Sequence, residues 1–211
     1  MAFISGFSTA LSTSVRAKAT CARNATTVVM AAKSKSVPFA DQPPALDGTL
    51  AGDAGFDPLN ISSYLNVKWL AEAEIKHGRV CMLACLGFWA QEFGLIFPDA
   101  PHLPHLAHDK FAQWNGPLGQ VLIWVSFWEA ITTPAVIQMV TGESDRKPGQ
   151  FFFDPLGLAK NPETYKRFAV SEVKNGRLAM IGISGMLTQT VMTNKTPIDQ
   201  LLHGPYLPVP F

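Results

Sequence analysis

EIKHGR, at residues 74–79, is repeated 98 residues later as EVKNGR, at residues 172–177. Each copy leads into an apolar segment long enough to enter a lipid bilayer, and an ionisable side chain at membrane depth usually has a function. The same spacing relates Gly87 to Gly185. Because glycine lets helix backbones approach closely, the duplication predicts two equivalent helices that meet at these two glycines.

The composition of the chain is unlike that of an average soluble protein. Apolar residues make up 47% of the 211 residues and charged residues 16%, whereas about 25% of an average soluble protein is charged. The net charge is +1, so no nucleic acid partner is expected.

The beginning of the chain has the composition of a targeting segment. Residues 1–40 contain five basic side chains, no acidic ones, and many Ser, Thr and Ala residues. This pattern is typical of a plastid transit peptide, whereas the alternative, a secretory signal, would need an uninterrupted apolar core. We therefore predict a transit peptide over residues 1–31 and one domain over residues 32–211.

Four helices are predicted, three long ones and a short amphipathic one at the surface, over residues 66–97, 118–140, 162–194 and 197–204. Pro98 should end the first helix, and Pro134 should kink the second because proline lacks a backbone N–H. The chain is thus predicted to be an all-α membrane protein with three transmembrane helices. The alternative is a soluble protein with buried helices, but three long apolar segments leave it little polar surface.

Basic residues beyond the leader are unevenly distributed among the connections. Leaving the repeated motif aside, eight lie before the first apolar span or between the second and third spans, and two lie in the other two regions. In a protein with three membrane spans, the region before the first span and the region between the second and third lie on the same face of the membrane. The leading end is therefore predicted to face the side that retains positive charge.

The charges of the repeated motif suggest how its two copies pair. Glu74 and Arg79 are five residues apart, about 140° around a helix, which is a poor geometry for an ion pair. Across two helices related by a pseudo-two-fold axis, Glu74 would instead meet Arg177, and Glu172 would meet Arg79. Each cation would then offset the cost of a carboxylate in lipid. The repeat therefore predicts two crossed helices joined by reciprocal ion pairs.

His77 and Asn175 occupy equivalent positions in the two copies and have no evident partner in the sequence. An unsatisfied polar group in lipid costs several kcal/mol. A metal ion that faces outward would satisfy both side chains. Magnesium accepts carboxylate and amide oxygens, and it accepts imidazole when a macrocycle already holds it. These residues therefore point toward magnesium tetrapyrroles.

With these motifs, the chain resembles the light-harvesting chlorophyll-binding superfamily over about residues 38–203. The most specific part is residues 172–189, followed by Lys195 and Pro197. The opening at residues 36–39 resembles the red-lineage branch, which is often attached to photosystem I. The resemblance implies a non-enzymatic antenna in the chloroplast thylakoid membrane that passes excitation energy to a photosystem. The implied partners are the photosystem core, other antenna subunits and thylakoid lipids.

The resemblance also implies a set of chlorophyll magnesium ligands, which are Glu74, His77, Glu129, Glu172, Asn175, Gln189 and His203. Arg79 and Arg177 would neutralise the two motif carboxylates. Many relatives carry an arginine three residues after the middle-helix glutamate, where this chain has Thr132. Glu129 therefore needs another counter-charge, or a hydrogen bond to Thr132 or Thr133.

A second duplicated phrase is the Asp-Pro-Leu turn that contains Asp57 in one copy and Asp154 in the other. Alone, such a phrase is a turn signal. In the superfamily these turns hold the head groups of two carotenoids, so the resemblance implies xanthophylls such as zeaxanthin. It also implies chlorophyll a, with chlorophyll c as an alternative. Trp69 and Trp89 could line the carotenoid grooves, although core or lipid contact is the simpler interpretation.

Two other functions compete with the antenna. Membrane charges and internal repeats also occur in small transporters, but three spans are few and both arginines already have partners. A photoprotective quencher of the same superfamily would use the same ligands. Colour separates the first alternative from the antenna, and excited-state lifetime separates the second.

Two smaller clusters have simpler interpretations. His102, His105 and His108 lie in a Pro-rich stretch that is predicted to be a loop, where they could be a metal site, a proton sensor or exposed polar residues. Cys81 and Cys85 are one helical turn apart, and we interpret them as small buried side chains rather than as a disulfide or a zinc site.

Overall fold

The computed structural model describes residues 33–203, apart from Phe97, Trp114, Asn115, Phe152, Leu156 and Ala159. These residues form five helices, α1 (Val67–Glu92), α2 (Pro104–Phe111), α3 (Pro117–Thr141), α4 (Pro162–Thr193) and α5 (Pro197–His203), and a 3₁₀ turn at Ile61–Ser63. The described part of the chain contains no β-strand, which confirms the all-α prediction. The predicted transit peptide, residues 1–31, lies outside the described residues.

Helix α1 ends at Glu92, five residues earlier than predicted. The reason is Gly94, which adopts the left-handed conformation with φ +88°. The Leu95 N–H then donates to the Ala90 carbonyl at 3.0 Å, the hydrogen bond of a Schellman motif. A glycine cap, and not Pro98, therefore ends the helix.

Helices α3 and α4 agree with the prediction to within one residue at each end. Proline occupies the first turn of both, where its missing N–H costs nothing. Pro134 lies inside α3 without ending it. Asn161 is the N-cap residue of α4, as predicted, but its side chain makes no capping hydrogen bond.

The Pro-rich stretch after α1 is not simply a loop, so that prediction was wrong. Pro104 begins the eight-residue helix α2, and His105 and His108 lie on it. Proline pre-forms the backbone of a first helical turn, and this signal was present in the sequence.

Helices α1 and α4 form the principal helix pair, and their backbones meet at Gly78 and Gly176. A Cβ atom on either glycine would lie 3.0 Å from the Cα of the other. The prediction that Gly87 and Gly185 mark the contact was wrong, since no atom lies within 4 Å of a Cβ at either position. These residues are nine positions further along, about 13 Å, where the crossed helices have already diverged.

Apolar side chains are mostly exposed in the described part of the chain. Its only buried hydrophobic residues are Ala107, Met139 and Val173, while Trp124 and Trp128 on α3 are more than 60% exposed. Such a surface needs lipid or apolar ligands to cover it. Of the described helices, only α3 is both long and apolar enough to cross a membrane, and no residue of its apolar 18-residue stretch is buried. The alternative of a soluble protein with buried helices does not fit this exposure.

Candidate functional site

Two reciprocal ion pairs join α1 and α4, which confirms the pairing predicted from the repeat. Arg79 Nε lies 2.6 Å from Glu172 Oε1, and Arg177 Nε lies 2.6 Å from Glu74 Oε1. Arg177 Nη2 also donates to Glu74 Oε2 at 3.3 Å. The close approach of the helices at Gly78 and Gly176 brings each arginine within ion-pair distance of the opposite glutamate. The formation of both ion pairs therefore depends on where the helices cross.

Each arginine has a second anchor, a glycine carbonyl in the loop before the opposite repeat. Arg79 Nη2 donates to the Gly149 carbonyl at 2.8 Å, and Arg177 Nη1 donates to the Gly52 carbonyl at 3.1 Å. Both glycines have positive φ, +77° and +78° respectively. Neither glycine was predicted as part of the site, although the two are separated by 97 residues, the same spacing as the two Asp-Pro turns.

The packing around these glycines extends the pseudo-two-fold symmetry. A Cβ on Gly52 would lie 2.8 Å from Val173 Cγ1, and a Cβ on Gly149 would lie 2.9 Å from Ile75 Cδ1. Val173 and Ile75 are equivalent positions of the repeated motif. The repeat is therefore larger than six residues, because it includes the turn that receives each arginine.

His77 and Asn175 are both exposed, and each has one polar atom held by the residue four positions earlier. His77 Nδ1 lies 2.8 Å from the Ala73 carbonyl. A carbonyl only accepts, so Nδ1 carries the proton, and in the neutral tautomer this leaves Nε2 as a lone-pair donor. Asn175 Nδ2 donates to Ser171 Oγ at 3.3 Å, which leaves Oδ1 as the acceptor atom. A second hydrogen bond of this kind commonly orients a metal ligand.

Glu129 on α3 has a counter-charge that the sequence did not identify. Lys76 Nζ on α1 lies 2.5 Å from Glu129 Oε2. The hydroxyls of Thr132 and Thr133 donate to the backbone carbonyl of Glu129, at 3.2 and 2.7 Å, instead of to its carboxylate. The expectation of another counter-charge is thus confirmed, and the alternative of a threonine hydrogen bond to the carboxylate was wrong.

Gln189 and His203 lie apart from this charged cluster. Gln189 is exposed on α4, fourteen residues after Asn175, which is about 21 Å along the helix axis. His203 ends α5, and its Nδ1 lies 2.7 Å from Asp199 Oδ1. This contact leaves Nε2 as the outward ring nitrogen, the same arrangement as in His77.

Asp57 and Asp154 both form turns. Asp57 accepts the Ile61 N–H at 3.0 Å and the Ser62 N–H at 2.8 Å. The hydrogen bonds from Ser62, and then that from Ile61, hold the pKa of Asp57 below its ordinary value of 3.8. Asp154 accepts the Leu158 N–H at 3.1 Å. The interpretation of both phrases as turn signals is confirmed.

The histidine and cysteine clusters do not form metal sites. No group of three or more His, Cys, Asp or Glu side chains within the described ranges is arranged to hold a metal ion, so the metal alternative for the histidines was wrong. Cys81 and Cys85 are free thiols, as predicted. They are half-buried rather than buried.

Similar proteins are named for chlorophyll binding or for light harvesting. The family described as chlorophyll A-B binding protein matches residues 42–191. Photosystem I chlorophyll a/b-binding protein 5 of Arabidopsis thaliana is 32% identical over 189 residues, which cover 79% of this chain and 73% of that protein. Light-harvesting complex stress-related protein 1 of Chlamydomonas reinhardtii is 33% identical over 165 residues, which cover 71% and 65% respectively.

The chain belongs to the chlorophyll a-b binding protein family. Chlorophyll a-b binding protein 7 of Solanum lycopersicum is a further relative, 32% identical over 203 residues that cover 85% of this chain and 74% of that protein. Membership confirms the predicted superfamily and makes the chain a chlorophyll-binding protein and not an enzyme. It also assigns the chain to the chloroplast thylakoid membrane.

Each carboxylate of the site has a counter-charge, which is compatible with a ligand to chlorophyll magnesium. Chlorophyll magnesium is already charge-balanced by its macrocycle, so a ligand to it in lipid must not bring an uncompensated charge. Glu74 and Glu172 meet this condition through their arginines, and Glu129 meets it through Lys76. His77 and Asn175 are neutral.

A further buried ion pair in this chlorophyll a-b binding protein was also missed. Arg146 Nη2 lies 3.1 Å from Glu72 Oε2, with both side chains at most 5% exposed. The same oxygen accepts the Gly149 N–H at 2.6 Å, and the guanidinium lies over the Phe151 ring, 4.8 Å from its centroid. These contacts hold the loop that receives Arg79. The position equivalent to Glu72 is Val170, so the repeat gave no indication of this pair.

Proposed function

We propose that this protein is a light-harvesting antenna with three membrane-spanning helices, α1, α3 and α4. In this proposal it binds chlorophylls and carotenoids and transfers excitation energy to a photosystem, with photosystem I favoured. Bound chlorophyll supplies light absorption and energy transfer, while the protein supplies spacing, orientation and local electrostatics. The observation that carries the proposal is the pair of reciprocal ion pairs with His77 and Asn175 turned outward beside them.

The proposed magnesium ligands are the neutral or neutralised groups on exposed faces, namely Glu74, His77, Glu129, Glu172, Asn175, Gln189 and His203. In Glu172, Arg79 Nε binds Oε1, and Oε2 remains for a ligand. His77 offers Nε2 and Asn175 offers Oδ1, because a neighbour holds the other polar atom of each. His77 and Asn175 are both exposed, so these atoms are accessible to a tetrapyrrole ring.

Carotenoids are proposed for the grooves beside the α1–α4 pair. Past the crossing point the helices diverge, and Gly87 and Gly185 border open space there. Trp69 and Trp89 are about half exposed on α1, so they are available to contact an elongated apolar ligand. The Asp57 and Asp154 turns lie before the two helices, and we propose that they hold the xanthophyll head groups, as the family resemblance implies. The distribution of basic residues supports the orientation in which the leading end faces the positive side.

Two named relatives support different roles in photosynthesis. The similarity to a photosystem I chlorophyll a/b-binding protein favours a photosystem I partner, together with other antenna subunits and thylakoid lipids. The similarity to a light-harvesting complex stress-related protein favours the photoprotective quencher as the second candidate.

Reconstitution with pigments tests the proposal. The refolded chain is mixed with a thylakoid pigment extract, purified and examined by absorption and fluorescence excitation spectroscopy. An antenna gives a green complex whose carotenoid absorption appears in the excitation spectrum of chlorophyll fluorescence. Glu172→Leu with Asn175→Leu serves as the matched control and should bind fewer chlorophylls. A complex that binds pigment without carotenoid-to-chlorophyll transfer contradicts the antenna, and a greatly shortened excited-state lifetime indicates the quencher.

A further inference from the structure

Among the residues that the structure describes, the ion pair that joins α1 to α3 is the one between Lys76 and Glu129. Lys76 belongs to the repeated motif, but its partner does not. Glu129 is the thirteenth of the 25 residues of α3, equally far from both ends. In a membrane-spanning helix this is the depth at which a carboxylate is most costly. Lys76 is the one cation among the described residues within ion-pair distance of Glu129.

The equivalent lysine of the second copy behaves differently. Lys174 is exposed and has no carboxylate partner in the described part of the chain. Lys76 is held on two sides, by Glu129 and by the Phe151 ring, whose centroid lies 5.7 Å from Nζ. The contacts of Lys76 are therefore specific to the first copy of the motif and are not made by the equivalent lysine of the second copy.

We propose that Lys76 is a positioning residue for the chlorophyll on α3. It neutralises Glu129 and holds Oε2, which leaves Oε1 as the carboxylate oxygen for magnesium on a side chain that is 54% exposed. The counter-charge thus comes from the neighbouring helix, whereas many relatives carry an arginine at the place of Thr132. As a result, this pigment site depends on the packing of α3 against α1. This inference rests on the proposed function, specifically on Glu129 as a ligand.

The test uses the reconstituted pigment complex and counts chlorophylls per protein. Glu129→Leu first establishes which absorption component belongs to this site. Lys76→Leu should then lose about one chlorophyll and the same absorption component, with the remaining pigments retained. Lys68→Leu is the matched control, because Lys68 is an exposed lysine of the same helix with no ion pair among the described residues, and it should retain all chlorophylls.

Three rescue variants separate charge compensation from a structural role. Lys76→Arg should keep the pigment. Thr132→Arg in the Lys76→Leu background should restore it, since residues three apart share a helix face. Glu129→Gln in that background should also restore it, because the amide brings an oxygen without a charge to neutralise.

The outcomes distinguish this inference from the proposed function. If the unmodified chain binds no chlorophyll, the proposed function fails. If Glu129→Leu loses a chlorophyll that Lys76→Leu retains unchanged, the role of Lys76 is overturned. A Lys76→Leu loss that neither Thr132→Arg nor Glu129→Gln restores also overturns it, because the lysine would then act through packing and not through charge.

Discussion

Gly78 and Gly176 are in backbone contact, so closely that a Cβ on either would lie 3.0 Å from the Cα of the other. This contact sets the separation of α1 and α4 at the level of the reciprocal ion pairs. A larger residue at either position must push apart the two helices that carry the charges.

Replacement of Gly176 by valine should therefore destabilise the complex. Overpacking of a close contact typically costs about 1–3 kcal/mol, and here the displacement also stretches both ion pairs. Thermal denaturation of the reconstituted complex, followed by visible circular dichroism, measures the effect. Gly185→Val is the matched control, since Gly185 lies in the same helix without a positive φ and a Cβ there meets no atom within 4 Å. A Gly176→Val complex as stable as the control would contradict the contact.

Replacement of His77 by leucine, or of Asn175 by leucine, should remove about one chlorophyll each while the helices remain folded. Both side chains are exposed and contribute no packing that leucine would disrupt. Pigment analysis of the purified complex gives the stoichiometry. As a control, Ser184→Leu changes an exposed polar residue of α4 outside the ligand set. Full pigment content in either ligand variant would exclude that residue as a ligand.

Replacement of Arg177 by leucine should be more severe, because it leaves Glu74 without its counter-charge. The pair is partly exposed in the protein alone, but in the proposed membrane-spanning arrangement an uncompensated carboxylate costs several kcal/mol. This arginine also anchors the Gly52 loop. The yield of reconstituted complex is the measurement. Adding Glu74→Gln to Arg177→Leu should restore part of the yield. If Arg177→Leu alone assembles with all its pigments, the pair is not needed for assembly.

The loop glycines allow two causes of instability to be separated. Gly52→Ala should be destabilising both because φ is +78° and because the new Cβ would lie 2.8 Å from Val173. Gly48→Ala carries the same backbone strain, at φ +79°, but its Cβ meets nothing within 4 Å. We expect Gly48→Ala to cost about 1–2 kcal/mol and Gly52→Ala clearly more, as measured by thermal denaturation. Equal losses would mean that the loop does not pack on α4 as described.

The reciprocal pairs were predictable because a duplicated sequence forms a duplicated structure. Because Glu74 and Arg79 are too far apart around one helix to form an ion pair, a two-fold arrangement of two helices was the remaining way to neutralise the carboxylates of both copies. The same reasoning failed for the glycine contact, since the spacing of 98 residues relates Gly78 to Gly176 and Gly87 to Gly185 equally well. Only the positions of the crossed helices in space decide between the two glycine pairs.

Two of the ion pairs that the sequence did not predict have no counterpart in the other copy of the repeat. Lys76 meets Glu129, and Glu72 meets Arg146, across elements that have no counterpart in the other half. Such tertiary pairs leave no periodic pattern in a single sequence. The end of α1, in contrast, had a signal in the sequence. Gly94 and Pro98 both favour a helix end, and the prediction used the proline, whereas the glycine ends the helix.

A pH experiment tests whether the α2 region senses protons. Asp99 lies 2.8 Å from Lys110 Nζ, and the hydrogen bond and charge of this lysine hold the pKa of Asp99 below its ordinary value of 3.8. A lowered pKa in the folded state means that the pair stabilises the protein above pH 3.8 and loses this effect only as the pH falls through the lower value. The ion pair is therefore intact from pH 7.5 to pH 5.

The sensor hypothesis assigns any change of fluorescence yield in that interval to His102, His105 and His108 and not to Asp99, since histidine is the side chain that ordinarily changes charge between pH 5 and pH 8. The sensor hypothesis predicts that acidification of the purified complex from pH 7.5 to pH 5 changes the yield. Asp99→Asn should leave the titration curve unchanged, whereas glutamine at His102, His105 and His108 together should flatten it. A constant yield in the unmodified protein would remove the hypothesis. A curve that disappears with Asp99→Asn would show that the carboxylate titrates within this interval, contrary to its contact with Lys110.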